Sequence, residues 1–238
     1  MNVINCRVEN RHLVSNDIND KLCLLDTGSP ITLDKSHPFM DGIVGNTGLD
    51  IDYLMGCDYL MQEGAIGFDI RDNKVVLKDS EEGCDEGSVR MSYGVPVLKC
   101  GLSHKYDEPP RDMECAFDTG AMQTFISRNA LKELGIDMEK EKAGTEDEFL
   151  PNGHKFKVDM VMVNAVIKDD RGLGFQWLRC AVFPEGMESL YQSLGDGVEG
   201  IIGLDIIGNA TFTLGKESSS LDVMFTGKSY RDTIDMID

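Results

Sequence analysis

Residues 24–30 read Leu-Leu-Asp-Thr-Gly-Ser-Pro, and residues 116–122 read Ala-Phe-Asp-Thr-Gly-Ala-Met. The same acidic tripeptide follows apolar residues twice, 92 positions apart. A carboxylate at the end of a buried strand is costly unless something pairs with it. Two of them, in two copies of one motif, are candidates to be each other's partner.

Working outward from the tripeptides, the two halves of the chain keep a common register. Cys23 and Cys115 each stand three residues before the aspartate. Cys6 precedes Asp26 by 20 residues and Cys100 precedes Asp118 by 18. Downstream, Leu-Met-Gly-Cys-Asp-Tyr-Leu (54–60) matches Ile-Ile-Gly-Leu-Asp-Ile-Ile (201–207). A diverged internal repeat outranks local guesses about structure. It divides the chain into a first half, 1–78, and a second half, 91–238. The acidic, Gly-rich stretch 79–90 between them reads as a linker.

Within each half the segments read as strands. Residues 3–8, 21–28, 93–102, 113–121 and 175–184 are short apolar runs bounded by turn residues. Asp72-Asn73 reads as a hairpin turn, and 149–167 as a hairpin turning at Pro151-Asn152-Gly153. The stretch 41–50, Asp-Gly-Ile-Val-Gly-Asn-Thr-Gly-Leu-Asp, reads as a Gly- and Asp-rich connection. The best helix is short, 127–136, with Ser127 as its N-cap and Gly135 past its last turn. The four histidines, His12, His37, His104 and His154, read as solvated loop residues. None has zinc-ligand spacing, and no metal is expected. The carboxylates of 17–20 and 69–73 lack the full calcium-loop pattern and read as turn formers.

The net charge is −19. Phosphate contacts need clustered Lys and Arg, so the balance speaks against nucleic acid and against an anionic membrane surface. It favours solubility, and it also sets up a field that attracts basic partners. Seven cysteines, an odd number with no Cys-x-x-Cys, suggest neither a disulfide framework nor a zinc site. No segment has the length of a membrane-spanning helix, and the N-terminus lacks the pattern of a secretory signal. The expectation is a cytoplasmic protein with reduced thiols.

Two carboxyl groups about 3 Å apart cannot both ionise and share one proton. The ionised member can take a proton from a water between them while the protonated member polarises a carbonyl, which is general acid–base hydrolysis. Asp supplies the carboxyl and Thr can hydrogen-bond across the axis. Gly allows a tight turn, and the downstream Gly lets a strand pass behind the loop. Ser29 follows the first tripeptide and Ala121 the second. A hydroxyl beside a carboxylate favours its charge, so Asp26 is expected to ionise more readily than Asp118.

With these residues the chain resembles the aspartic peptidases, the family of pepsins and retropepsins. The resemblance rests on Leu25-Asp26-Thr27-Gly28-Ser29 with Leu54-Met55-Gly56, and on Phe117-Asp118-Thr119-Gly120-Ala121 with Ile201-Ile202-Gly203. It implies an all-β, bilobal, pseudo-two-fold fold of two retropepsin-like β-barrel halves, with one short helix in the second half. It also implies an endopeptidase that needs no cofactor and takes a peptide or protein substrate in extended form. Asp26 and Asp118 would be catalytic, supported by Thr27, Gly28, Ser29, Thr119, Gly120 and Ala121. Both half-sites lie in one chain, so a monomer suffices for the dyad; a homodimer completing the cleft is the alternative. With Asp26 so early, no pro-segment is expected. Asp26 and Gly56 are 30 residues apart, Asp118 and Gly203 are 85 apart. Members of the family carry a β-hairpin flap in that interval. The first half is therefore expected to lack a flap and the second to supply one within 140–165, with Gly144, Thr145, Pro151, Asn152 and Gly153 as its candidate substrate-binding residues. The competing function is a peptide-binding or assembly module of the same fold with weak or lost activity.

Overall fold

In a computed structural model of the protein, residues 2–78, 89–105, 107–150, 152–169, 172–187, 189, 192–208, 210–215 and 224–225 are described. Among them the chain is mostly β, with eighteen strands and five short helices. The first half runs β1 (Asn2–Asn5), β2 (Arg7–Glu9), β3 (His12–Ile18), β4 (Lys21–Leu25), β5 (Leu33–Asp34), α1 (Met40–Thr47), β6 (Tyr53–Met55), α2 (Cys57–Leu60), β7 (Ala65–Asp69) and β8 (Lys74–Lys78). The second half runs β9 (Val89–Ser92), β10 (Val95–Ser103), β11 (Arg111–Phe117), β12 (Phe125–Ile126), α3 (Arg128–Glu133), α4 (Met138–Glu141), β13 (Gly144–Phe149), β14 (Lys155–Asp169), β15 (Gly172–Val182), β16 (Gly200–Ile202), α5 (Leu204–Ile207), β17 (Ala210–Gly215) and β18 (Met224–Phe225).

The repeat read from sequence is a repeat of topology. In the first half β4 leads into the Asp-Thr-Gly loop, and β6 returns parallel to β4 and antiparallel to β5. In the second half β11 leads into the loop, and β16 returns parallel to β11 and antiparallel to β12. Leu25 stands opposite Met55, and Phe117 opposite Ile202. Each return strand is followed by a one-turn helix, α2 or α5, that starts from Gly56 or Gly203. The motif needs glycine there. A Cβ on Gly203 would lie 2.5 Å from the Gln123 carbonyl, and one on Gly56 would run into the backbone of Ile31.

A five-stranded sheet, β2-β3-β4-β6-β5, builds the first half, and an eight-stranded sheet, β13-β14-β15-β12-β16-β11-β10-β9, builds the second. The third sheet, β1-β8-β7-β17-β18, draws on both, because β17 pairs with β7 from Thr211↔Asp69 to Gly215↔Ala65. Three phenylalanines meet between the sheets. Phe117 lies 5.6 Å from Phe68 and 5.1 Å from Phe212, ring centre to ring centre, and all three are fully buried.

Several expectations change. Residues 40–47 form helix α1 rather than an irregular connection, so helices occur in both halves. The helix carries Gly42 and Gly45 and no side-chain cap, which is why its sequence does not read as helical. Packing forms it instead: Met40, Ile43 and Thr47 are buried on one face, with Met40 and Ile43 joining Leu33, Leu49, Ile51 and Leu54 in a separate apolar cluster. Of the linker 79–90, residues 79–88 lie outside the described residues, while Val89 and Arg90 belong to β9. The helix at 127–136 forms as α3, its N-cap Ser127 accepting from Ala130 N–H at 3.1 Å. The turn after β3 is confined to Asn19-Asp20, both with positive φ. Among the described residues Cys6, Cys23, Cys57, Cys100, Cys115 and Cys180 are buried thiols.

Because Phe117 is the middle ring of the three, Phe117→Ala should cost about 3–5 kcal/mol. Urea denaturation should show a lower midpoint with an unchanged slope.

Candidate active site

The two Asp-Thr-Gly loops are held by matching main-chain bonds. Asp26 N–H donates to Met55 O and Asp118 N–H to Ile202 O, both at 3.0 Å. Cys57 N–H then donates to Ser29 O (2.8 Å), and Leu204 N–H to Ala121 O (3.0 Å). A second matched set lies below. Thr32 and Thr124 hydroxyls each donate to the carboxylate that follows the return-strand glycine, Asp58 and Asp205, both at 2.7 Å. The same hydroxyls accept from Gly56 N–H (3.1 Å) and Gly203 N–H (3.2 Å).

The threonines of the tripeptides join the halves. Thr27 N–H donates to Thr119 Oγ1, and Thr119 N–H to Thr27 Oγ1, each at 3.0 Å. Thr27 Oγ1 donates to Phe117 O (2.8 Å), and Thr119 Oγ1 to Leu25 O (2.7 Å). Both residues are fully buried. Each hydroxyl therefore accepts one bond and donates one across the axis, leaving no buried orphan.

Above this brace the two carboxyls face each other. Asp26 Oδ1 accepts from Gly28 N–H (2.9 Å) and Ser29 N–H (3.2 Å). Asp118 Oδ1 accepts from Gly120 N–H (2.8 Å) and Ala121 N–H (3.1 Å). Each carboxyl also rests on the other loop's glycine. A Cβ on Gly120 would lie 2.5 Å from the Asp26 carboxyl carbon, and one on Gly28 would overlap the Asp118 carboxyl. Burial raises the pKa of both groups above the ordinary carboxylate range. The Asp118 charge and the bond from Asp118 raise Asp26 further, and the N–H groups of each loop, Gly28 and Ser29 on Asp26 and Gly120 and Ala121 on Asp118, pull the pair back down. Two carboxyls so placed share one proton. The Ser29 hydroxyl, expected to favour a charged Asp26, instead donates to Ile31 O at 2.7 Å.

The carboxyls line a cleft of about 680 Å³. One wall is first-half, including Ile31, Leu33, Phe39, Ile43 and Leu54; the other is second-half, including Phe125, Phe156, Phe183 and Ile201. The β13–β14 hairpin reaches over it. Glu148, Phe149 and Leu150 line the cleft from the hairpin, Asn46 Nδ2 of α1 donates to Leu150 O at 2.9 Å, and Gly153 approaches Gly42. Ser29, Gly28, Gly120 and Ala121 line the cleft with the aspartates, and Thr27 and Thr119 lie beneath.

The hairpin expected within 140–165 is present, but its cleft-facing residues are not the expected ones. Gly144 and Thr145 pair with Met160 and Asp159 at the hairpin's far end. Asn152 and Gly153 are exposed at the turn, where Asn152 Oδ1 accepts from His154 N–H (3.0 Å). Pro151 lies outside the described residues. Nothing in the sequence distinguishes Glu148, which points inward, from its neighbours Glu146 and Asp147. His12 was also misread: it opens β3, is only 8% exposed and lines the cleft. Among the described residues no group of three or more His, Cys, Asp or Glu could hold a metal ion, and no helix is long and apolar enough to cross a membrane. No protein-family model matches the chain, and no curated protein matches it.

Two outcomes follow from this site. Thr27→Val removes the acceptor of Thr119 N–H and the donor to Phe117 O, so it should cost about 1–3 kcal/mol in urea denaturation. Asp205 is pushed up to about 6 by burial, against the opposing bonds from Thr124 and Ile206. An unfolded Asp titrates near about 3.9, so this group's contribution to stability is full below that value and lost as pH rises through about 6. Asp205→Asn cannot titrate. Its stability relative to the natural chain should therefore climb by about 2–3 kcal/mol from pH 4 to pH 7.

Proposed function

We propose that the protein is an aspartic endopeptidase with the two-lobed fold of that family, its dyad formed by Asp26 and Asp118 within one chain. The observation that carries this reading is the pair of half-buried carboxyls, each seated on the other loop's glycine and braced from below by reciprocal threonine bonds, on the floor of a cleft. A pure binding surface gains nothing from holding two like-charged groups together, whereas hydrolysis needs one proton shared between them.

In the reaction, the ionised member of the Asp26–Asp118 pair takes a proton from a water between the two groups as that water attacks the peptide carbonyl. The protonated member donates its hydrogen bond to the carbonyl oxygen as charge develops there. The proton taken from the water then passes to the amide nitrogen as the C–N bond breaks. The backbone N–H groups of Gly120 and Ala121 stabilise the charged form of Asp118. The β13–β14 hairpin is the single flap; it excludes water and offers a strand edge to an extended substrate. The first half has α1 where a second flap would lie, and its Asn46 receives the flap. The buried thiols among the described residues suit a reducing, cytoplasmic setting.

Purified protein should cleave members of a diverse peptide mixture between pH 3 and pH 8, read by mass spectrometry. Asp26→Asn and Asp118→Asn should each lower the rate by at least about a hundredfold while remaining folded. A pepstatin-type inhibitor should raise the melting temperature of the natural chain. Absence of cleavage at every pH, with folded protein and no inhibitor shift, would replace this reading with a binding or assembly module.

A further inference from the structure

The cleft is apolar over most of its length but not at one end. There the β2–β3 turn, the C-terminal end of α1, the loop after Asp118 and strand β13 converge. Asn10 Nδ2 donates to Thr47 O at 3.0 Å, and Gln123 Nε2 donates to Glu148 Oε1. Two side chains that line the cleft at this end are polar and almost fully buried: His12 is 8% exposed and Glu148 is 6% exposed.

His12 lacks a partner at one ring nitrogen, and Glu148 lacks a counter-ion. Among the described residues His12 Nδ1 has no hydrogen-bond partner. Glu148 has only the neutral Gln123 amide as a side-chain partner, and it forms no ion pair among the described residues. Burial pushes the Glu148 pKa up, against the bond from Gln123 and the charge of Arg11, which is exposed on the adjoining turn and forms no ion pair with it among the described residues. Burial and Arg11 hold His12 down to about 4, so at neutral pH it is an uncharged imidazole. A buried carboxylate without a counter-ion is costly. A neutral imidazole lining the same cleft can offer a lone pair without adding positive charge. The other end of the cleft differs. The turn that corresponds to Asn10-Arg11 is Tyr93-Gly94, also with positive φ at both residues, and it is followed by apolar Val95 where the first half has His12.

We propose that the His12–Glu148 end of the cleft is a specificity subsite for a basic side chain, lysine or arginine, of a bound peptide. The cation meets the Glu148 carboxylate and can donate a further bond to His12, and the apolar stem of such a side chain suits Leu24 and Ile43 of the same cleft. Because Val95 occupies the matching place at the opposite end, the subsite also gives the substrate a direction. The strongly acidic chain, at −19, brings basic peptides toward it. This inference rests on the cleft being a peptide site, as proposed above.

The test uses short peptides with apolar centres, made in pairs that carry lysine or its uncharged isostere norleucine at each flanking position in turn. Binding is measured by calorimetry on Asp26→Asn, which does not depend on turnover, and kcat/KM on the natural chain. One flanking position should favour lysine by at least about tenfold in both measurements. Glu148→Gln, which keeps its shape and can still accept from Gln123, should abolish that preference, so that the lysine and norleucine peptides bind and turn over alike. Glu148→Lys should shift it toward glutamate. Cleavage without any lysine preference overturns the subsite and leaves the peptidase reading standing. Lysine-selective binding that Glu148→Gln abolishes, without cleavage, supports the subsite and removes the peptidase reading. Neither cleavage nor selective binding overturns both.

Discussion

Two carboxyl groups held side by side away from water repel unless they share a proton, and the chain must restrain them against that repulsion. It does so with two threonine hydroxyls. Each reaches across the axis, accepting from one loop's N–H and donating to a carbonyl at the end of the other half's strand. Geometry elsewhere follows from this brace. The loops can approach closely only because Gly28 and Gly120 have no side chain in the way, and β6 and β16 can pass behind them only because Gly56 and Gly203 have none either. The threonine–aspartate pairs below, Thr32 with Asp58 and Thr124 with Asp205, then fix those return strands to the loops.

The symmetry of the floor does not extend to the roof. The longer interval in the second half holds the β13–β14 hairpin; the shorter one in the first half holds α1. These two unlike parts meet through Asn46 and Leu150. The floor itself stays even: each carboxyl accepts from two backbone N–H groups of its own loop and rests on the glycine of the other.

Much of this was legible in the sequence because a repeated motif constrains both copies at once. The strand leading into each aspartate, the return strand with its glycine, and the cross-axis role of threonine all follow from residue types at matching positions. What escaped was decided by packing between segments distant in the chain. α1 has two glycines and no cap, and it forms because Met40 and Ile43 have an apolar cluster to join. His12 sits beside a turn of polar residues, and only the convergence of α1 and β13 buries it. Ser29 seemed placed to serve Asp26, but its hydroxyl had a nearer acceptor in Ile31 O. Glu148 shares its face of β13 with Glu146 and differs in what it meets there, the cleft rather than Arg179, and the path of the hairpin that decides this is not written in the strand itself.

Strand β17 has a consequence for how the molecule is made. It lies late in the chain, yet it is the neighbour of β7 in the first half, and Phe212 on it completes the ring cluster with Phe68 and Phe117. During synthesis from the N-terminus, β7 therefore has one open edge until residues 210–215 have left the ribosome. An open strand edge is a template for wrong pairing. The first half waits, partly built, for nearly the whole of the second, so the two repeats fold as one cooperative unit rather than as a finished module followed by its copy.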